Sequence, residues 1–182
     1  MGSTRILVTL CAAALALGAM SEVADARPRP KRGKTFTANK EFGLGLILGA
    51  PTGLSGKYFY SEDKAIDFAV GFLGRYRGRD GLHVHVDHLW HPVSLVSDSA
   101  FELPLYVGVG GRFYSFDWDD NDRYDDGQVL GVRVPVGIAF DFNNVPLDIF
   151  VELAFVLDFY VSDYDDNVDG DFNGGVGVRY WF

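Results

Sequence analysis

The stretch LHVHVDHLWH (82–91) holds the residue types best suited to chemistry. His83, His85 and Asp87 stand at i, i+2 and i+4, a spacing that places all three on one face of a β-strand. Two imidazoles and a carboxylate so arranged could ligate a metal, or orient one ring as a base. No second ligand cluster is evident to complete a metal site, so the expectation is polar packing in which Asp87 holds an imidazole. His88 falls on the opposite, apolar face with Trp90. A lipid-facing histidine could serve an enzyme that modifies lipid A, but no matching nucleophile accompanies it.

A second candidate lies in DYDDNVDGD (163–171), with five aspartates. Asp165, Asn167, Asp169, Gly170 and Asp171 follow the D-x-[DN]-x-[DN]-G opening of a calcium loop. The twelfth position is Val176, so the bidentate glutamate is missing. The residues Asp165, Asn167, Asp169 and Asp171 are thus a calcium candidate at most, set against a solvated, self-repelling loop. No other cofactor is implied. A longer acidic stretch, DWDDNDRYDDG (117–127), could lend a carboxylate.

The elements that would position these residues have a period of two. In DIFVELAFVLDFYV (148–161), Ile149, Val151, Leu153, Phe155, Leu157, Phe159 and Val161 share one face, and Asp148, Glu152 and Asp158 share the other. The same rhythm predicts strands over roughly 41–50, 54–61, 65–76, 82–91, 101–116, 128–142, 147–162 and 172–182. Strands of about ten residues are long for a soluble sheet and suit a tilted membrane-spanning strand. The polar connections PTG, RGRDG, DWDDNDRYDDG and DYDDNVDGD fall at one end, and shorter links near 62–64, 92–100 and 143–146 at the other. This is the plan of an outer-membrane barrel, with short periplasmic turns and longer external loops. The expected fold is all-β: an eight-stranded antiparallel up-and-down transmembrane β-barrel.

Residues 1–26 read as a secretory signal peptide, with Arg5, an apolar run and Ala24-Asp25-Ala26 as a cleavage site. The only cysteine, Cys11, lies inside it, so thiol chemistry is excluded from the mature chain. Residues 27–40 are expected to form a basic disordered periplasmic tail, followed by the barrel over 41–182. A formal net charge of −9 argues against nucleic acid as a partner.

If the apolar face meets lipid, the other face fills the lumen. It brings Lys57, Arg75, Arg112, Arg133 and Arg179 together with Asp67, Asp87, Glu102, Asp141, Asp148, Glu152 and Asp158. An eight-stranded interior is narrow enough for side chains to fill, and charges confined there must pair. The expectation is a core of arginine–carboxylate pairs with no open channel, and a bulge or kink where Pro135 interrupts the ladder. The inverted alternative is a secreted lipocalin-like cup, with apolar residues inside. Against it stand a nearly uncharged apolar face and an aromatic ending, Tyr180-Trp181-Phe182.

The stretch EFGLGLILGAPTGLSGKYFYSEDKAIDFAVGF (41–72) resembles the start of a family of small bacterial outer-membrane barrels whose function is not established. The likeness lies in the Gly-rich first strand, the P-T-G-L-S turn at Pro51 to Ser55, and Lys57 to Phe59. It continues in ELPLYVGVGGR, GVRVPVGIAF, LDIFVELAFVLD and GGVGVRYWF. The resemblance implies a barrel of the OmpX or OmpA-transmembrane type and carries over no catalytic residue. Phe182 is similar to the terminal aromatic that the barrel-assembly machinery reads. The expected role is that of a non-enzymatic surface or envelope-integrity protein, monomeric, touching outer-membrane lipid and lipopolysaccharide, with the acidic loops as its contact surface. A lipid-modifying enzyme and a small pore are the competing classes.

Overall fold

The computed structural model describes residues 33–71, 81–116, 127–160 and 168–182. Eight antiparallel strands form one closed barrel in sequence order: β1 (Phe42–Gly49), β2 (Gly53–Ser61), β3 (Lys64–Gly71), β4 (Gly81–Ser97), β5 (Phe101–Phe116), β6 (Gly127–Phe142), β7 (Leu147–Tyr160) and β8 (Val168–Trp181). β1 closes on β8 through seven paired positions from Gly43↔Trp181 to Gly49↔Gly175, which leaves no sheet edge.

The strand rhythm read from the sequence is the rhythm of the barrel, with two shifts of boundary. β4 runs on to Ser97, and β8 begins at Val168. The first extension needs two irregularities in its pairing with β5, between Trp90 and Val93 and between Ser94 and Ser97. Pro135 produces no bulge. Pairing of β5 with β6 lapses beside Pro135 and resumes at Gly110↔Arg133 in the same register as Val107↔Val136. A ring closed on both sides holds the register, so the lost donor costs a rung and not a shift.

Faces are divided as an outer-membrane barrel requires. Leu46, Leu48, Leu54, Leu153, Phe172 and Val176 lie exposed on the outer wall. Lys57, Asp67, Asp87, Arg112, Arg133, Asp148, Glu152, Asp158 and Arg179 are buried inside. The lipocalin-like arrangement would reverse these two lists. Among the described residues the wall meets its surroundings with large apolar side chains, which lipid accommodates and water does not.

The P-T-G turn between β1 and β2 is built on Gly49, whose φ of 136° lies where a side chain is strained. The Thr52 hydroxyl closes the turn, accepting from Gly49 N and lying in donor range of Gly49 O, each at 3.0 Å. At the opposite mouth, residues 33–41 do not behave as a disordered tail. Lys34 bridges to Ser94 on the extended end of β4, and Ala38 N donates to Glu62 O at 2.7 Å. Phe36 is buried against Phe59 and His91, with ring centroids 5.8 and 5.3 Å away. An apolar ring with a ready cavity overrides the basic composition around it. Residues 27–32 lie outside the described residues, as does most of the acidic loop 117–127.

Candidate functional site: a charge-packed lumen

Alternation sends every second residue inward, and the small residues among them make room for the long ones. A Cβ added at Gly177 would stand 2.3 Å from the Phe150 ring, and one at Gly137 2.3 Å from Tyr106. These two glycines therefore seat two aromatic rings. The rings in turn carry cations: Arg179 lies 3.9 Å over Phe150 and Lys57 4.3 Å over Tyr106.

Three arginines organise the interior at three levels. Nearest the mouth that carries the 33–41 segment, Arg179 on β8 reaches Asp67 on β3 at 2.5 Å and donates from Nε to Asp148 on β7 at 3.2 Å. Lys57 stands 3.8 Å from the same Asp67 and 3.5 Å from His91 Nε2. His91 is oriented from its other nitrogen, 3.3 Å from the Asp63 carbonyl.

At mid-height, Arg133 on β6 takes three partners. Its Nη2 donates to Glu152 at 2.5 Å, its Nη1 donates to His85 Nδ1 at 3.2 Å, and its Nε lies 2.8 Å from Asp87. The last contact is one of charge, since neither Asp87 oxygen has an aligned hydrogen bond. Above them, Arg112 on β5 clasps Asp158 through Nε at 2.9 Å and through Nη2, and donates to Asn173 at 2.7 Å. Such bidentate clasps fix side chains in a way a lysine could not.

The predicted arginine–carboxylate core is therefore present. The histidine reading needs a correction. Asp87 does not hold an imidazole, since His85 Nε2 is 3.9 Å from it while Arg133 bonds the ring directly. His83 lies above, edge-on to His85 and to Tyr114 at 5.7 Å in each case. The ligand-type partner missing from the sequence reading is Glu152. Its parity placed it in the lumen, but only the fold puts it beside His85 and Asp87, with ligand atoms all within 4.8 Å. A guanidinium that bonds His85 and Glu152 and faces Asp87 by charge stands where a metal ion would.

The calcium reading changes as well. Asp169 and Asp171 belong to strand β8, paired with Asp158 and Val156 of β7. Extended ladder backbone stands where a calcium loop needs its turn at Gly170. Asp171 lies 3.4 Å from Arg112 and accepts a hydrogen bond from its neighbour's amide, Phe172 N, at 2.8 Å. Asp165 and Asn167 lie outside the described residues, as does Arg75. Glu102 sits at the mouth rather than in the core, accepting from Ser97 at 2.8 Å and facing Lys34 at 3.5 Å. Asp141 is bound there by Lys40, which also donates to Phe142 O at 2.8 Å.

No family model and no curated protein matches the chain. Among solved structures, it is similar to the N-terminal β-barrel domain of Pseudomonas aeruginosa OprF, with a TM-score of 0.53 and 17% identity over 78% of this chain and 94% of that one. The likeness shows the fold: an eight-stranded antiparallel β-barrel closed in sequence order. At that identity the likeness carries the architecture alone.

Proposed function

We propose that the chain is a monomeric outer-membrane protein of a bacterial envelope that works by anchoring and contact, without catalysis or conduction. The observation that carries this reading is the lumen, where Arg112, Arg133 and Arg179 tie strands together through buried carboxylates, with Arg179 reaching from β8 across to Asp67 on β3. Opening a wet path would break several buried ion pairs at once, each break leaving a charge uncompensated. His83, His85 and Asp87 are buried in the same packing, away from any lipid substrate. That favours structure over lipid chemistry.

The short turns at 62–63 and 143–146 suit the periplasmic side, beside the 33–41 segment. In that orientation the β5–β6 and β7–β8 connections, acidic in sequence, would be external ones. There they would meet partners, or lipopolysaccharide phosphates through divalent cations. Phe182, exposed beside Phe42 and Tyr180, is the residue offered to the assembly machinery.

The test has two parts. Unboiled protein folded in detergent is expected to migrate apart from the boiled form on a denaturing gel, as closed membrane barrels do. In planar bilayers it is expected to give no steady conductance above that of an equally folded control barrel. A sustained current, or release of acyl chains from lipid A by the purified protein, would overturn the reading.

A further inference from the structure

A second polar cluster stands on the outside of the barrel, separate from the lumen. Phe59 pairs with Ala65 while Ser61 pairs with Lys64, so β2 carries one extra residue, Tyr60. A bulge bends its strand and re-aims the side chain there. Tyr60 lies outward, 47% exposed, and its hydroxyl is hydrogen-bonded to His88 Nε2 on β4, beyond β3. β3 supplies Lys64 between them. Its neighbour Ala65 is buried inside, so Lys64 lies on the outer face, where it pairs directly with Trp90 and diagonally with His88. Trp90 meets the His88 ring edge-on at 4.2 Å. Among the described residues the Lys64 ammonium has neither an ion pair nor a hydrogen bond. Beside Tyr60 opens a groove of about 440 Å³ with Glu41, Glu62 and Lys40 on its walls, the lysine being engaged by Asp141.

We propose that this cluster seats the headgroup of a zwitterionic bilayer phospholipid, its phosphate between Lys64 and His88 and its ammonium toward Glu62 and Glu41. Ionisable side chains on a lipid-facing wall are costly unless they meet a polar partner, and Lys with Trp and Tyr gathers at the headgroup level. Ordinary belt anchors need no bulge. Here the extra residue brings a phenol onto a histidine next to a lysine without a partner, which assembles donors for a phosphate. The acidic groove alongside would repel a purely anionic headgroup and favours one that ends in a cation. The inference requires only that the barrel stand in lipid, and it is independent of what the distal loops contact.

The test uses the full chain folded in maltoside micelles with its four histidines carbon-labelled at Cε1. Short-chain phosphatidylethanolamine is titrated in, with phosphatidylglycerol, diacylglycerol and free phosphoethanolamine as separate arms. The His88 resonance, assigned through His88→Gln, is expected to shift saturably with phosphatidylethanolamine. The lumen rings of His83, His85 and His91 are expected to stay in place. Lys64→Gln should weaken that binding by about tenfold, the loss of one charge-assisted contact. Tyr60→Phe should weaken it severalfold. An equal shift with diacylglycerol would reduce the cluster to a belt contact, and an equal shift with free phosphoethanolamine to an ion site. Equal binding of phosphatidylglycerol would remove the role of Glu41 and Glu62. Each of these results overturns the proposal. The three lumen resonances report the fold in every variant, so a failed site is not mistaken for a failed barrel.

Discussion

Arg179 on β8 bonds Asp67 on β3 at 2.5 Å, although 112 residues separate them and no ladder pairs their strands. The contact spans the lumen, and it ties the last strand to the first half of the chain. Arg179 also holds Asp148 on the neighbouring strand, so one guanidinium neutralises two buried acids.

Arg179→Met is therefore expected to cost more than the lost contacts alone. It strands Asp148 in the interior and leaves Asp67 only the more distant Lys57 at 3.8 Å, a penalty on the order of 3–5 kcal/mol. Unfolding in urea, followed by the mobility shift of unboiled samples, should show it. The triple variant Arg179→Met, Asp67→Asn, Asp148→Asn should recover much of the loss. A single variant as stable as the parent would mean these acids are not held charged by Arg179.

Arg133→Ala should empty the position that His85, Asp87 and Glu152 surround. With their ligand atoms within 4.8 Å of each other, the three are expected to bind Co²⁺ or Zn²⁺ in the variant and not in the parent. Cobalt absorption bands that appear in Arg133→Ala and vanish when His85→Ala is added would check it. No metal uptake by the variant would show that the walls relax into the vacated space.

Two glycines should behave in opposite ways. A side chain at Gly177 would collide with Phe150 at 2.3 Å, so Gly177→Val should destabilise by roughly 1–3 kcal/mol through overpacking. Gly111 is exposed on the outer wall, where an added Cβ meets only Gly131 O at 3.7 Å. Gly111→Val should be neutral or slightly stabilising, since Val suits a strand and lipid welcomes it. Equilibrium unfolding of both variants decides the ordering.

Phe36→Ala should release residues 33–41 from the mouth while leaving the barrel closed. The ring is buried against Phe59 and His91, and truncating a buried Phe costs about 3–5 kcal/mol when the loss is global. Here the segment can detach by itself, so the expected signature is local. Amide exchange should rise at Ala38 and Ser94, and His91 should become reactive to an imidazole-modifying reagent. Unchanged exchange at both amides would show that Lys34 and Lys40 suffice to hold the segment.

Calcium should leave the unfolding midpoint unchanged. Asp169 and Asp171 are committed to the β7–β8 ladder, and Asp171 lies beside Arg112. A rise in stability on adding calcium, reversed by a chelator, would restore the loop reading.

The strands, their number and the division of faces were legible because alternation is local. Ile149 and Glu152 are assigned to opposite faces by parity alone, and the shared face of Lys57, Arg112, Arg133 and Arg179 follows from the same rule. The pairings were not legible. Parity says that Arg133 and Glu152 both face inward, but not that they share a level. That depends on how far each strand is staggered when the ring closes. For the same reason Asp87 was given to an imidazole when the structure gives it to Arg133. Phe36 was lost in a basic tail, since composition is an average and a single ring needs only one cavity. Tyr60 and His88 meet because a one-residue bulge in β2 turns one toward the other across β3. The sequence by itself determined a barrel with one charged and one apolar face, since both are properties of consecutive residues, and closure decided that the charged face is the inner one. Only the tertiary structure decided which charge answers which, since partners on non-adjacent strands meet through closure and stagger.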